Sequence, residues 1–187
     1  MRLYLARHAK PAIAPGICYG SSDLLVPQDE HERVVSALAC RLPRGLPVFS
    51  SPLRRCSTLA AALAVRIGSH PPTHDARLAE MHFGQWEMRA WEDIAHAEVE
   101  AWASNVIGYR PGGGESVLEA ARRVHAFYAD RMRCGEDAVV VCHAGTIRLL
   151  LACQHGGNLA EVALAAARDP GRIACGELVV GEFPSCP

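Results

Sequence analysis

Two short apolar runs, each followed by a histidine, constrain the fold of this chain more than any other feature. The first, Arg2 to Ala6 (RLYLA), leads into Arg7 and His8, and the second, Ala138 to Cys142 (AVVVC), leads into His143. Continuous runs of this length, rich in branched or aromatic residues, are typical of buried strands in a parallel sheet. Because parallel strands end at the same edge of a sheet, we expect His8 and His143 to meet there.

Strand and helix patterns alternate along the rest of the chain. A third apolar run surrounds Val48, and helical spacing of apolar residues covers three segments: Leu53 to Ile67, Ser116 to Met132 and Gly145 to Cys153. The stretch ELVVGEF, which ends at Phe183, resembles a final edge strand, whereas the alanine-rich stretch after Leu159 fits helix or strand. This alternation predicts an α/β fold with a largely parallel central sheet.

Length and composition fit one globular domain spanning residues 1–187. Half of the residues are hydrophobic and 21% are charged, and no segment approaches the roughly 20 apolar residues of a membrane span. The amino terminus has no signal-peptide pattern, so a cytoplasmic location is expected. The net charge is -1 and both signs are mixed along the chain, which argues against nucleic acid or a membrane as a partner.

The cysteines and glycines receive structural interpretations. The eight cysteines are scattered and form no C-x-x-C pair, so we expect small buried hydrophobes that stay reduced. Without close His or Cys pairs, a metal site is not expected. The run Gly112 to Gly114 is followed by no lysine, so it is not a nucleotide-binding loop, and we expect a flexible lead into the next helix.

Arginines beside the histidine strands indicate an anion site. Arg7 adjoins His8, and Arg54 and Arg55 follow SSPL, where a strand gives way to a helix. A guanidinium group offers a planar fork of donors for phosphate oxygens, and a helix amino terminus adds free N–H groups. Because adjacent helical residues point in different directions, we assign Arg55 to the anion and Arg54 to the solvated surface.

Four stretches in this order, LARHA, SSPLRRC, LAEMHFGQWE and VVCHAGTIR, resemble the motifs of the histidine phosphatase superfamily, also called the phosphoglycerate mutase-like family. The resemblance covers nearly the whole chain and implies a three-layer α/β fold and a phosphomonoesterase without cofactor or metal. Within the superfamily, PGICYGSSD, EMHFGQWEMRAWEDI and PGGGESV are most similar to the alpha-ribazole phosphatases of cobalamin biosynthesis. The implied substrate is a small phosphorylated metabolite, with alpha-ribazole 5'-phosphate as the first candidate.

Carried onto this sequence, the resemblance makes His8 the nucleophile that becomes phosphohistidine. Arg7, Arg55 and His143 would hold the phosphoryl oxygens, and Glu80, in LAEMHFG, would donate a proton to the leaving group. This assignment agrees with the chemistry, because an imidazole must be neutral to attack and nearby arginines lower its pKa.

Weaker assignments concern the loops around these residues. Tyr19 and Gly20 would approach the substrate phosphate through backbone groups, with a plain turn as the equal alternative, and the N–H of Ala144 would add an oxyanion contact. Core positions are favoured over a pocket wall for the three tryptophans, Trp86, Trp91 and Trp102.

The sequence departs from the family pattern at several places. Pro11 stands where a Thr or Ser is common, His82 replaces an acidic residue, Met88 replaces a usual glycine, and PGGGES has one extra glycine. A phosphoglycerate mutase and a broad-specificity phosphatase remain alternatives, although the compact chain favours water as acceptor. A non-catalytic domain that binds a phosphorylated ligand or a protein is a further alternative, and a homodimer is left open.

Overall fold

The central sheet of the computed structural model has five strands in the order β3-β2-β4-β1-β5. The structure describes residues 1–183. The strands are β1 (Arg2–Arg7), β2 (Val48–Ser50), β3 (Thr73–His74), β4 (Ala138–Cys142) and β5 (Leu178–Glu182). Neighbouring strands pair in parallel except for β5, which lies antiparallel to β1 at one edge. The predicted, mostly parallel α/β sheet with a final edge strand is therefore confirmed.

Six α-helices connect and cover these strands. They are α1 (Gln28–Ala39), α2 (Arg54–Ile67), α3 (His96–Ser104), α4 (Val117–Cys134), α5 (Ala144–Ala152) and α6 (Leu159–Arg168). Helices α2, α4 and α5 agree with the predicted segments to within two residues, and the ambiguous alanine-rich stretch is helix α6. Helices α1 and α3 and strand β3 were not predicted from the sequence.

The side chains of β1 and β4 alternate between two cores, which makes the fold three-layered. Leu3 and Leu5 join a core with residues of α4, α5 and α6, whereas Tyr4 and Ala6 join a core with residues of α1 and α2. All five residues of β4 are buried, as expected for a central parallel strand with helices on both faces.

Local signals explain where the helices start and stop. Helix α4 begins after Ser116, whose hydroxyl accepts the Glu119 N–H while the Glu119 carboxylate accepts the Ser116 N–H, so the two form a capping box. Helices α2 and α4 end at Gly68 and Gly135, both in the left-handed conformation that glycine adopts without strain. Within the described chain, no helix is both long and apolar enough to cross a membrane.

The expectation that the cysteines are buried needs correction for three of them. Cys18, Cys56, Cys142 and Cys153 are buried as predicted, but Cys40 and Cys134 are exposed near helix ends, Cys175 is half-buried, and Cys186 lies outside the described residues. The exposed pair occupies polar helix surface, where a cysteine has no core to join.

The glycine run is packed against backbone rather than forming a loose lead. A Cβ atom on Gly112 would lie 2.4 Å from the Phe83 carbonyl oxygen, and one on Gly114 would lie 2.1 Å from the His82 carbonyl oxygen. Gly113 has open space around it, which explains how the chain accommodates an extra glycine. The run therefore holds residues 82–84 in place by close backbone contact.

Met88 is the single non-glycine residue with a positive φ in the described part of the chain, at 64°. A side chain in this region is strained by contact between its Cβ and the following carbonyl group. Because the Met88 side chain is 54% exposed, we expect Met88→Gly to lose little packing and to raise the free energy of unfolding by about 0.5 to 1 kcal/mol. Urea unfolding would measure this change, and a loss of stability would contradict it. Arg89→Gly, one residue on, is the matched control and should destabilise or leave stability unchanged.

Candidate active site

The pairing of β1 with β4 brings the two strand-end histidines together. In the parallel register Arg7 lies opposite Cys142, and the N–H of His8 donates to the Cys142 carbonyl oxygen at 3.1 Å. The imidazole centroids of His8 and His143 are 5.1 Å apart in an edge-on arrangement. The predicted meeting of these histidines at one edge of the sheet is thus observed.

His8 is buried, with 1% of its surface exposed. Its Nδ1 lies 2.7 Å from the carbonyl oxygen of Ala9. A carbonyl only accepts, so Nδ1 carries the proton, and Nε2 of the neutral ring keeps its lone pair. Burial first, and then the charge of Arg55, lower the pKa of His8 to about 3 despite the bond to Ala9. The ring is therefore neutral at pH 7.

His143 is fully buried beside His8. Its Nε2 lies 2.9 Å from the hydroxyl oxygen of Ser51 and 3.5 Å from Sγ of Cys56. Ser51 follows strand β2 and its N–H donates to the Val141 carbonyl oxygen, so a third strand end reaches the site. Burial, and then the proximity of His8 and Arg55, hold the pKa of His143 well below its usual value. This ring too is neutral at pH 7.

Arg55, in the first turn of α2, is completely buried. Its Nη1 and Nη2 donate to the carbonyl oxygens of Ser22 and Gly20, and its guanidinium carbon lies 5.4 Å from the centroid of the Tyr19 ring. Arg54, its neighbour, is exposed, as the sequence indicated. Because the oxygens that hold this buried cation are neutral, its positive charge is not cancelled within the protein and attracts an anion.

Arg7 contributes a second cation from the end of β1. Its Nη1 donates to the Ile173 carbonyl oxygen at 2.6 Å. In residues 1–183, the Nε atoms of Arg7 and Arg55 are buried and lack a hydrogen-bond partner. Buried donors of this kind are costly unless a ligand accepts from them.

Glu80 lines the same cavity as His8 and lies in the chain that follows the 3-10 turn Ala76–Leu78. Its carboxylate oxygens accept the N–H of Met81 at 3.0 Å and that of Gly145, in the first turn of α5, at 3.3 Å. A Cβ on Gly145 would lie 2.6 Å from a Glu80 carboxylate oxygen, so the glycine makes this approach feasible.

Glu87 is a polar residue of the site that sequence analysis did not identify. Its carboxylate accepts hydrogen bonds from the Ser21 and Phe83 backbone N–H groups and from the hydroxyl groups of Ser21 and Ser22. Burial raises its pKa, but the bond from Ser22 and the other hydrogen bonds prevail and leave it below the usual value. An ionised Glu87 thereby anchors the loop whose carbonyl groups hold Arg55. The sequence signal for Glu87 was its acidic residue type at the end of the family motif LAEMHFGQWE.

One cavity of about 370 Å³ is lined by most of these groups. Six of the candidate site residues line it: Arg7, His8, Tyr19, Gly20, Glu80 and Ala144. Arg55 and His143 lie behind the cavity wall and are absent from the lining. The carbonyl oxygen of Gly20 accepts a hydrogen bond from Arg55, and the contact of Gly20 with a substrate phosphate stays a prediction.

The cavity also has an apolar and aromatic lining, formed by Phe83, Trp91, Trp102, Val106, Val117 and Leu149. Trp91 and Trp102 are nearly parallel, with an interplanar angle of 8° and centroids 6.3 Å apart. Only Trp86 is a core residue, at 1% exposed. The expectation of a core position was therefore wrong for Trp91, which is 40% exposed, whereas Trp102 is partly buried, packs against core residues and also lines the cavity.

Together these groups can bind an oxyanion next to a neutral imidazole and a carboxyl group. The uncapped amino terminus of α5, which begins at Ala144, adds the positive end of a helix dipole. In the part of the chain that the structure describes, no cluster of three or more His, Cys, Asp or Glu side chains could hold a metal ion.

Comparison with known proteins agrees with this arrangement. An adenosylcobalamin/alpha-ribazole phosphatase of Salmonella typhimurium is 32% identical over 81% of this chain and 78% of its own. A glucosyl-3-phosphoglycerate phosphatase of Mycolicibacterium vanbaalenii is 32% identical over 92% of this chain and 89% of its own. The crystal structure of a phosphoglycerate mutase from Thermus thermophilus superposes with a TM-score of 0.73 at 28% identity, covering 98% of this chain and 94% of that one.

The family model of the histidine phosphatase superfamily (branch 1) matches residues 3–171, which include both histidine strand ends and Glu80. The two similar sequences are named phosphatases, and the similar structure, which shares the fold, is named a phosphoglycerate mutase. The chain is thus an enzyme of the phosphatase type and belongs to the histidine phosphatase superfamily.

Proposed function

We propose that this enzyme hydrolyses phosphomonoesters through a phosphohistidine formed on His8. The observation that carries the proposal is the state of that ring, which is buried, neutral and bound through Nδ1 to Ala9. Its Nε2 is the nitrogen left to attack, in a cavity that also holds Arg7 and Glu80.

The reaction has two steps. In the first, Nε2 of His8 attacks phosphorus, the bond between phosphorus and the ester oxygen breaks, and the leaving alkoxide takes a proton from the Glu80 carboxyl group. In the second, water attacks the phosphohistidine and gives its proton to the Glu80 carboxylate, while the P–N bond breaks and its electrons return to Nε2. Phosphate and the starting protonation states result.

Positive charge around the phosphoryl group supplies the remaining catalysis. Arg7, which lines the cavity, would bind the equatorial oxygens on which charge accumulates in the transition state, and the positive charge of Arg55, buried behind the wall, would stabilise them. His143 would add a neutral donor, since its ring can place a proton on one nitrogen and accept at the other. The scheme uses no metal.

Water, rather than a second alcohol, is the proposed acceptor. Chain length does not support this choice, because the phosphoglycerate mutase of Thermus thermophilus is almost the same length as this chain. Support comes instead from the two similar proteins that are named phosphatases and are 32% identical. A mutase remains the second candidate because the same phosphohistidine serves both reactions.

The apolar wall of the cavity favours an alcohol with a planar aromatic part. Phe83, Trp91 and Trp102 line the same cavity as His8 and Glu80, so an alcohol attached to the phosphoryl group would contact aromatic rings there. Alpha-ribazole 5'-phosphate, which carries an aromatic base, fits this wall better than phosphoglycerate, which is small and carboxylated. Alpha-ribazole 5'-phosphate is therefore our first candidate substrate. We also propose that the enzyme works in the cytoplasm.

The first test is hydrolysis of alpha-ribazole 5'-phosphate, 3-phosphoglycerate and an aryl phosphate by the native protein and His8→Ala, in the presence of a chelator. We expect the native enzyme to release phosphate, with the ribazole ester preferred, and His8→Ala to lose at least about 10³-fold in kcat. His70→Ala, which changes an exposed histidine, is the matched control.

Each result of this test has a distinct reading. Equal turnover of all esters would retain the mechanism and reject the substrate, and formation of 2-phosphoglycerate without phosphate would identify a mutase. No turnover by the native protein, together with no binding of vanadate, would favour the non-catalytic domain.

Trp91 provides a test of the aromatic wall, since at 40% exposed it contributes little to the core. We expect Trp91→Ala to lower kcat/KM for alpha-ribazole 5'-phosphate by about 3- to 10-fold, the value of one ring contact. The loss for 3-phosphoglycerate should be under about 2-fold, and Trp91→Phe should retain most of the preference. Equal losses on both esters would remove Trp91 from the substrate site.

The neutral state of His8 can be measured by NMR titration of its Cε1–H resonance. Because the pKa of His8 is lowered from 6.5 to about 3, the ring should stay neutral from about pH 7.5 to about pH 5, where a histidine in a short peptide becomes charged. The depressed pKa also means that its stabilising contribution is full above pH 6.5 and is lost as the pH falls toward 3. Protonation of His8 near pH 6.5 would contradict the proposed nucleophile.

A further inference from the structure

Glu80 lies in irregular chain, unlike the two histidines, which directly follow strands. It sits between the 3-10 turns Ala76–Leu78 and Gly84–Trp86. No ladder of sheet hydrogen bonds fixes this segment, so the position of Glu80 depends on the Met81 and Gly145 N–H groups that its carboxylate accepts and on side chains that hold its backbone. A proton donor works only within hydrogen-bond reach of its target, which makes this placement decisive for catalysis.

Arg123, on helix α4, binds the backbone directly before Glu80. Its Nη1 donates to the carbonyl oxygens of Arg77 at 2.8 Å and of Ala79 at 2.7 Å. Its Nε and Nη2 donate to the two carboxylate oxygens of Glu115 at 2.7 and 2.8 Å. The side chains of Arg123 and Glu115 are 22% and 20% exposed, so the pair is largely shielded from solvent. Glu115 thus fixes the orientation of the guanidinium group.

The chain after Glu80 is tied to the same pair. The backbone N–H of Glu115 donates to the His82 carbonyl oxygen at 2.7 Å. On the other side, the hydroxyl group of Thr146 lies 3.2 Å from the Ala79 carbonyl oxygen. Glu80 is therefore flanked by two anchored residues, Ala79 and His82, and both anchors involve Glu115 or Arg123.

We infer that Arg123, oriented by Glu115, is a positioning residue that aims the Glu80 carboxyl group at the leaving oxygen of the substrate. The inference rests on the proposed function, because it takes Glu80 to be the proton donor. It explains why Arg123 and Glu115 form a bidentate ion pair beside the cavity although neither residue holds the phosphoryl group.

Direct binding of substrate by Arg123 is the competing explanation, since this residue also lines the cavity. Arg123 has five N–H donors, of which four are already bonded to protein oxygens. Arg7 and Arg55, by contrast, bind only neutral carbonyl groups. If Arg123 binds substrate, its substitution should raise KM for every ester. If Arg123 positions the acid, its substitution should lower kcat/KM only for esters whose leaving group needs a proton.

The test compares two esters that differ in this need. Release of the alkoxide from 3-phosphoglycerate requires a proton, whereas 2,4-dinitrophenolate leaves without one. The ratio kcat/KM covers only the steps through release of the alcohol, so hydrolysis of phosphohistidine does not affect it.

For Arg123→Gln, we expect kcat/KM to fall by about 10- to 100-fold with 3-phosphoglycerate and by less than about 3-fold with dinitrophenyl phosphate. Glu80→Gln should show the same selectivity with a larger loss. Combining both substitutions should add no more than about 2-fold to the loss of Glu80→Gln, because Arg123 acts through Glu80.

Two further variants separate positioning from general damage. Arg122→Gln changes an exposed arginine on the same helix and should leave both esters unaffected. Glu115→Gln frees the guanidinium group while leaving Arg123 in place, and should give a weaker form of the same selectivity even if Arg123→Gln folds poorly.

Equal losses on both esters, or multiplicative losses in the double variant, would overturn the inference. If Glu80→Gln itself shows no selectivity, or His8→Ala retains activity, the proposed function fails instead. The two failures are therefore distinguishable.

Discussion

The parallel pairing of β1 with β4 is the constraint on which the whole site depends. The register sets Arg7 opposite Cys142, so that the next residue on each strand is a histidine. A shift by one residue would send each side chain of the moved strand to the other face of the sheet, exchanging the two cores and separating the imidazole rings. The apolar side chains of both strands are matched to separate cores, so the packing energy of the fold and the geometry of the histidines are secured together.

Four arginines near the site, Arg7, Arg55, Arg77 and Arg123, fall into two groups according to what holds them. Arg77 pairs with Asp75 and Asp130, and Arg123 pairs with Glu115, so their charges are neutralised within the protein. Arg7 and Arg55 are held by carbonyl oxygens and form no ion pair within residues 1–183. The first group stabilises the backbone around Glu80, and the second leaves positive charge beside His8. Burial and this charge together keep both imidazole rings neutral.

Much of the fold could be predicted because its signals are local and periodic. The continuous apolar runs of β1 and β4 indicated buried parallel strands, and the strand ends placed His8 and His143 in one site. Helix α3 buries no residue fully and gave no clear pattern, whereas Val34, Val35 and Leu38 of α1 recur at helical spacing, so α1 was missed although its signal was present. Strand β3, with two residues, is too short to have one.

The parts of the site that could not be predicted depend on long-range contacts. Nothing near Glu87 in sequence indicates that its carboxylate will bind Ser21 and Ser22, which lie more than 60 residues away. The glycines at 112 and 114 were interpreted by composition, whereas their role depends on the approach of residues 82–84. Trp91 and Trp102 were assigned to the core because large aromatics are usually buried, but a cavity wall needs the same residues.

The unpaired Nε atoms of Arg7 and Arg55 have a thermodynamic consequence beyond catalysis. An anion that accepts from them binds the folded chain and not the unfolded one, so by mass action it shifts the folding equilibrium toward the native state. Inorganic phosphate, the product of the proposed reaction, is such an anion. The molecule that competes with substrate for the site would then also protect the enzyme against unfolding, which couples the enzyme's lifetime to the accumulation of its own product.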